Sequence, residues 1–146
     1  MDSTISETLE HILLLARHLK KCDKNGTLIV MLMELRVPTK SMGFEFLKSA
    51  ILLFYKDPTR ALSKDIYQEI ALHYRQSSES QVDQAIRDAI DKAWKDGCMT
   101  AWDWYFAYDG QRRARKPSNA EVITRMARLL ELWKRLRDME VCYEIE

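Results

Sequence analysis

Ser78-Glu79-Ser80-Gln81-Val82-Asp83-Gln84-Ala85-Ile86-Arg87-Asp88-Ala89-Ile90-Asp91-Lys92-Ala93-Trp94 is the stretch whose pattern decides the fold. Its apolar residues Val82, Ala85, Ile86, Ala89, Ile90, Ala93 and Trp94 are separated alternately by three positions and by one. That spacing draws a single stripe down an α-helix and leaves the opposite arc to solvent. Ser78 and Gln81 form a capping-box pattern, in which each side chain satisfies a backbone N–H that the helix start leaves unpaired. Gly97 marks the other end, because glycine tolerates the backbone conformations of a helix stop. The solvent arc holds Ser80, Gln84, Arg87, Asp88 and Asp91, with Gln81 at its edge.

Immediately upstream, Ile66, Ile70, Ala71 and Tyr74 keep helical spacing, with Ser63 as the expected cap. The segment Arg75 to Ser78 joins the two helices, and the small Ala71 lets them cross closely. This is the pattern of a helix-turn-helix, whose second helix lays its first turns in the major groove of DNA. Gln pairs there with adenine, Arg with guanine, and Asp accepts from cytosine. Gln81, Gln84, Arg87 and Asp88 are therefore the expected base-reading residues. Helix pairs of this kind also occur as plain scaffolding, and one feature here favours that alternative. From Ser78 to Trp94 four anions oppose two cations, a local charge of −2 that repels phosphate.

Cations for the DNA backbone must then come from elsewhere. Arg112, Arg113, Arg115, Lys116, Arg125, Arg128, Lys134, Arg135 and Arg137 face only Glu121 and Glu131 in sequence, a local charge of +7. The first four lead into Pro117 and a second capping box, Ser118-Asn119-Ala120-Glu121, so they sit at a helix N-terminus, itself a place where phosphate binds. Ser78, Ser80, Arg112, Arg113, Arg115 and Lys116 are the expected phosphate-binding residues. The alternative is a solvated basic loop. The last helix runs from this box to about Arg137, with Val122, Ile123, Met126, Leu130 and Trp133 on its apolar side.

The motifs taken together resemble the C-terminal effector domains of sporulation response regulators, the stage-zero sporulation protein A family. The resemblance rests on Glu34-Leu35-Arg36-Val37-Pro38 with Gly43-Phe44, on Ala85-Ile86-Arg87-Asp88-Ala89-Ile90 with Ala93-Trp94 and Gly97, on Phe106-Ala107-Tyr108, and on Lys116 to Glu121. It runs from about Leu28 to Arg137. It implies a six-helix bundle with a central helix-turn-helix, binding of promoters as paired domains, and contact with RNA polymerase sigma factors. The chain departs from the family at the recognition helix, where Gln81 and Gln84 replace basic residues and Asp88 replaces a histidine. The turn before Val82 is one residue longer. The family's phosphoacceptor receiver domain does not precede this segment, so no aspartyl phosphorylation within the chain is expected.

The rest of the sequence sets bounds. Gly (4) and Pro (3) are scarce among 146 residues, which favours long helices over strands with many turns. The expectation is an all-α bundle of about six to seven helices. An extra N-terminal helix occupies 1–26 and the effector domain 27–146. The first helix starts at Thr4 and stops at Asn25-Gly26; its apolar positions are Leu9, Ile12, Leu13, Ala16 and Leu19. With Leu14 and Leu15 it is richer in apolar surface than one face requires, so it either docks on its own domain or forms a dimer contact. The run Leu28 to Met33 reads as a buried helix. Pro38 breaks the chain before a helix marked by Phe44, Leu47, Ile51, Leu52 and Tyr55.

Chemistry finds little support. Cys22, Cys98 and Cys142 form neither a disulfide framework nor a CxxC site. His11 and His18 lie two turns apart, too far to share a metal easily, and Asp23-Lys24-Asn25-Gly26 lacks the ligand pattern of a calcium loop. No nucleophile elbow, zinc-protease motif or phosphate loop is present. The reading is no enzyme, no cofactor, no metal and no membrane span, in a cytoplasmic protein. The cluster Trp102, Trp104, Tyr105, Phe106 and Tyr108 either stacks bases or packs the last helix against the recognition helix. The leading function is sequence-specific binding of double-stranded DNA. The alternative is a protein-interaction module that has lost DNA binding and modulates a related regulator.

Overall fold

Two serines and an aspartate show how the chain punctuates itself. Asp23, Ser41 and Ser78 each stand in extended backbone, and each side chain accepts from the backbone N–H three residues on, at Gly26, Phe44 and Gln81. In the computed structural model, which describes residues 2–76, 78–97, 99–106 and 116–145, these caps open three of seven α-helices. The helices are α1 (Asp2–His18), α2 (Lys24–Glu34), α3 (Met42–Lys56), α4 (Tyr67–His73), α5 (Glu79–Asp96), α6 (Met99–Tyr105) and α7 (Asn119–Ile145). A single π-helical turn, Leu62–Ile66, leads into α4. No strand occurs among the described residues. The fold is all-α.

α3 lies at the centre, packed on α5 and α7, and α4 closes against α5. Phe46, Leu47, Ala50 and Ile51 of α3, Val82, Ile86 and Ile90 of α5, and Met126, Leu130 and Trp133 of α7 fill one core. Gly43 allows the closest approach. A Cβ there would stand 2.3 Å from the carbonyl oxygen of Ala85 and 2.8 Å from the Cβ of Ala89, so only glycine lets α3 and α5 meet at this point. Gly97 is equally confined, between the carbonyl of Ala93 and the indole nitrogen of Trp102.

Three expectations are corrected. Asn25-Gly26 does not end the first helix. That helix ends at His18, and Asn25 and Gly26 form the first turn of α2, where the Asp23 carboxylate takes the Gly26 N–H at 2.7 Å. Ser63 caps nothing; it lies inside the π turn, whose N-terminal residue Ala61 offers no side-chain bond. The last helix passes Arg137 and continues to Ile145.

α1 docks on its own domain, against α6 and α7. Ile12, Leu15 and Ala16 are buried, while Leu9 and Leu14 face solvent. His11 is buried as well. Its Nε2–H donates to Glu34 at 2.9 Å, its ring stacks on Trp104 at 4.2 Å, and Tyr105 donates its hydroxyl to the same Glu34 carboxylate. One imidazole thus joins α1, α2 and α6. The described residues of the aromatic cluster lie on or beside α6 and serve in packing: Trp102 meets Trp94 of α5 edge-on and Phe106 face-on, and the carbonyl of Tyr105 accepts from Arg125 of α7.

Candidate nucleic-acid interface

α4 ends in a Schellman turn. Gln76 N–H bonds the Ala71 carbonyl at 2.7 Å and Arg75 N–H bonds that of Leu72 at 3.3 Å. The turn requires a left-handed residue, and Arg75 supplies it at φ 58°. Arg36 does the same after α2, at φ 69°. The chain then runs to Ser78, whose hydroxyl caps α5. This sets α4 across α5 with Ile70, Ala71, Val82 and Ile86 buried between them.

The stripe faces inward and the polar arc outward. Ser80, Gln81, Gln84, Arg87 and Asp88 are all exposed, and they follow one another along the first two and a half turns of α5. Ser78 is half-buried and its hydroxyl is engaged with Gln81 N–H. The exposed side chains are linked. Arg87 Nη2 donates to Asp83 at 2.6 Å, Arg87 Nη1 donates to Gln84 at 3.2 Å, and Gln84 Nε2 donates to Asp88 at 2.8 Å. Gln68 of α4 donates to Glu79 at 3.2 Å.

The start of α7 grips α5 at two points. Asn119 Nδ2 donates to both the backbone carbonyl and the carboxylate of Asp83, each at 3.0 Å. Lys116 pairs with Asp91, two turns further along α5. Ser118 and Glu121 complete their capping box, with Ser118 N–H to Glu121 at 2.8 Å and Glu121 N–H to Ser118 at 3.1 Å. The buried Tyr67 of α4 lies near the same place. Burial, and then the nearby charge of Asp83, push its hydroxyl up to about 12. Three helices therefore meet at Asp83.

The acidic arc is thus less bare than its sequence implies. Asp83 and Asp91 have cationic partners, and Asp88 and Glu79 have amide partners. The basic stretch is correspondingly more committed. Lys116 holds Asp91, Arg125 holds the Tyr105 carbonyl, Arg135 holds Glu131, and Arg137 holds the Cys22 carbonyl and covers the ring of Trp133 at 4.9 Å. Arg112, Arg113 and Arg115, and with them Tyr108, lie outside the described residues. Among the described residues no group of three or more His, Cys, Asp or Glu could hold a metal ion, and no helix is long and apolar enough to cross a membrane.

Sequence reasoning placed Gln81, Gln84, Arg87 and Asp88 on one arc, and there they lie. It missed Asp83 and Asn119 as partners. The spacing of Asp83 and Arg87, four apart on one helix, was a readable signal. Asn119 lies 36 positions further on, and nothing in the local pattern joins it to α5.

The family model of the Sporulation initiation factor Spo0A C terminal matches residues 28–130. The match begins within α2, takes in α3 to α6 and the first part of α7, including the whole helix-turn-helix, and leaves α1 outside it. With more than two thirds of its 146 residues so matched, the chain belongs to the family of Spo0A C-terminal domains, a family of DNA-binding transcription regulators.

Proposed function

We propose that this chain is a sequence-specific regulator that reads duplex DNA with α5 in the major groove. The observation that carries the reading is the continuous exposed arc of Gln81, Gln84, Arg87 and Asp88 at the front of a capped helix-turn-helix. Ser78, Ser80 and the segment Arg112, Arg113, Arg115 and Lys116 would contact the flanking phosphates. Lys116 would do so from beside Asp91, already fixed against α5. One such helix covers few base pairs, so two copies on paired half-sites are the expected bound form. Contact with a sigma factor is the expected output, as the family implies.

Selection from random duplex DNA with the purified chain tests this directly. An enriched motif supports the reading. Affinity should fall steeply with salt, and replacing Arg112, Arg113 and Arg115 by alanine should flatten the log–log slope by up to about 3. No duplex binding at about 50 mM salt, where phosphate contacts are strongest, rejects it.

A second reading has its own observation. The arginine of the arc is already paired with Asp83 and Gln84, and the arc remains acidic. Such a surface suits a basic protein partner, for instance a related regulator whose DNA binding it would modulate. Binding to that partner without any duplex binding would favour it.

A further inference from the structure

We propose that Asp83 is the positioning residue for Arg87, and that Asn119 sets Asp83 from the start of α7. The inference rests on the DNA reading above. It begins from a contrast in rigidity. An exposed arginine on a helix samples many rotamers, and ordering it on a base edge carries an entropic penalty. Arg87 is about half exposed, yet its guanidinium is held at two nitrogens, by Asp83 at 2.6 Å and Gln84 at 3.2 Å. A guanidinium has five N–H donors, so two such bonds leave capacity for the O6 and N7 of guanine.

Asp83 is itself not free to follow the arginine. Asn119 clamps both its carboxylate Oδ1 and its backbone carbonyl, while Oδ2 is the atom that takes Arg87. The two carboxylate oxygens therefore have separate duties. One is anchored to α7 and the other aims the arginine. Asn119 belongs to the first turn of α7, so the anchor is set by a separate helix. The aim of Arg87 is consequently referred to the bundle rather than to the surface of α5 alone. This gives Asp83 a use on a helix where its charge otherwise opposes DNA.

The test compares base preference, salt dependence and folding in four variants of the full chain. Arg87→Ala first identifies the base pair that Arg87 reads. Asn119→Ala alters no charge, so its salt slope should match wild type while preference at that base pair falls about tenfold. Asp83→Ala should lose the same preference and, with one anion fewer, bind all sequences more tightly. Asp83→Glu keeps a carboxylate within reach of Arg87 and should restore most of the preference. The ratio of matched to mismatched affinity cancels the uniform charge effect. Should Asn119→Ala melt too low to measure, the Asp83→Ala and Asp83→Glu pair decides alone. Full preference in Asp83→Ala, with preference lost in Arg87→Ala, overturns the proposal and leaves the DNA reading standing. Absence of duplex binding by wild type removes both.

Discussion

Two polar clusters are built from similar groups and serve different ends. On α5, Asp83, Arg87, Gln84 and Asp88 form a chain of contacts in solvent. Between α1, α2 and α6, His11, Glu34, Tyr105 and Trp104 form one that is largely shielded from it. Water competes for the bonds of the first, so it adds little to stability and serves instead to orient its members. Water has less access to the second, where His11 and Tyr105 are buried, so a bond left unmade there costs more. The exposed cluster is a surface that can be read. The buried one is a fastener, and it fastens the one helix that lies outside the family match.

The largest expected effect breaks this contrast most directly. His11→Ala removes a donor from a partly buried carboxylate and a ring from the face of Trp104. The unsatisfied acceptor and the lost stacking together predict a loss of about 2–4 kcal/mol. Arg87→Ala, on the exposed cluster, should change stability by less than about 0.5 kcal/mol. Urea titrations of the two variants check both. Equal losses would mean that burial does not separate the clusters.

Acid should weaken the buried cluster. Burial alone would raise the Glu34 carboxyl, but hydrogen bonds from His11 and Tyr105, with the attraction of His11, outweigh it and hold the group below its ordinary value of 4.5. A depressed carboxyl contributes stability that is fully present above the unfolded value and is lost as pH falls through the folded one. Glu34→Gln should therefore be less stable than wild type at neutral pH, and the gap should narrow as pH drops below about 4.5. Melting curves at a series of pH values follow the gap. A gap that widens on acidification would show that Glu34 is not held in its charged form.

How much of this was legible follows from range. The stripe of α5, the Ser78 cap and the Ser118–Glu121 box are patterns within four residues, and each formed where the spacing put it. α6 was hidden because Trp102, Trp104, Tyr105 and Phe106 are nearly contiguous and blur a period of 3.6. Gly26 misled because the same residue type stops one helix or accompanies the start of the next, and only the Asp23 carboxylate decides which. The fastener joins residues 23, 71 and 94 positions apart, and the anchor of Asp83 spans 36. Local pattern cannot carry such pairings, because the fold brings them together before their chemistry matters.

A smaller effect concerns the turn that presents α5. Arg75 holds a left-handed backbone at φ 58°, a conformation that disfavours any residue with a Cβ and suits glycine. Arg75→Gly should raise stability by about 0.5–1 kcal/mol, the relief of strain exceeding the added freedom of the unfolded chain. The hydrogen bonds of the turn are backbone bonds and survive the change. Chemical denaturation measures the gain. A loss instead would mean that the Arg75 side chain contributes more than its backbone strain removes.

The smallest effect sharpens the comparison at α1 itself, which has both kinds of contact. Besides the His11 fastener, α1 touches α7 through Arg17, whose Nε donates to Glu140 at 2.7 Å. That arginine is 60% exposed. A pair of this kind gains little Coulomb energy in water and restricts two long side chains, so exposed bridges are worth about 0–1 kcal/mol. Arg17→Ala should lower stability by no more than about 0.5 kcal/mol, and less still in 0.5 M salt, where screening acts within about 4 Å. His11→Ala should keep its full loss in the same salt. In the double variant the losses should add, because the two contacts share no atoms and engage different partners. Denaturant curves of the two single variants and the double, at low and high salt, resolve the terms. If the Arg17 loss were large and salt-resistant, α1 would be held from α7, and the buried imidazole would be an occupant of the interface rather than its fastener.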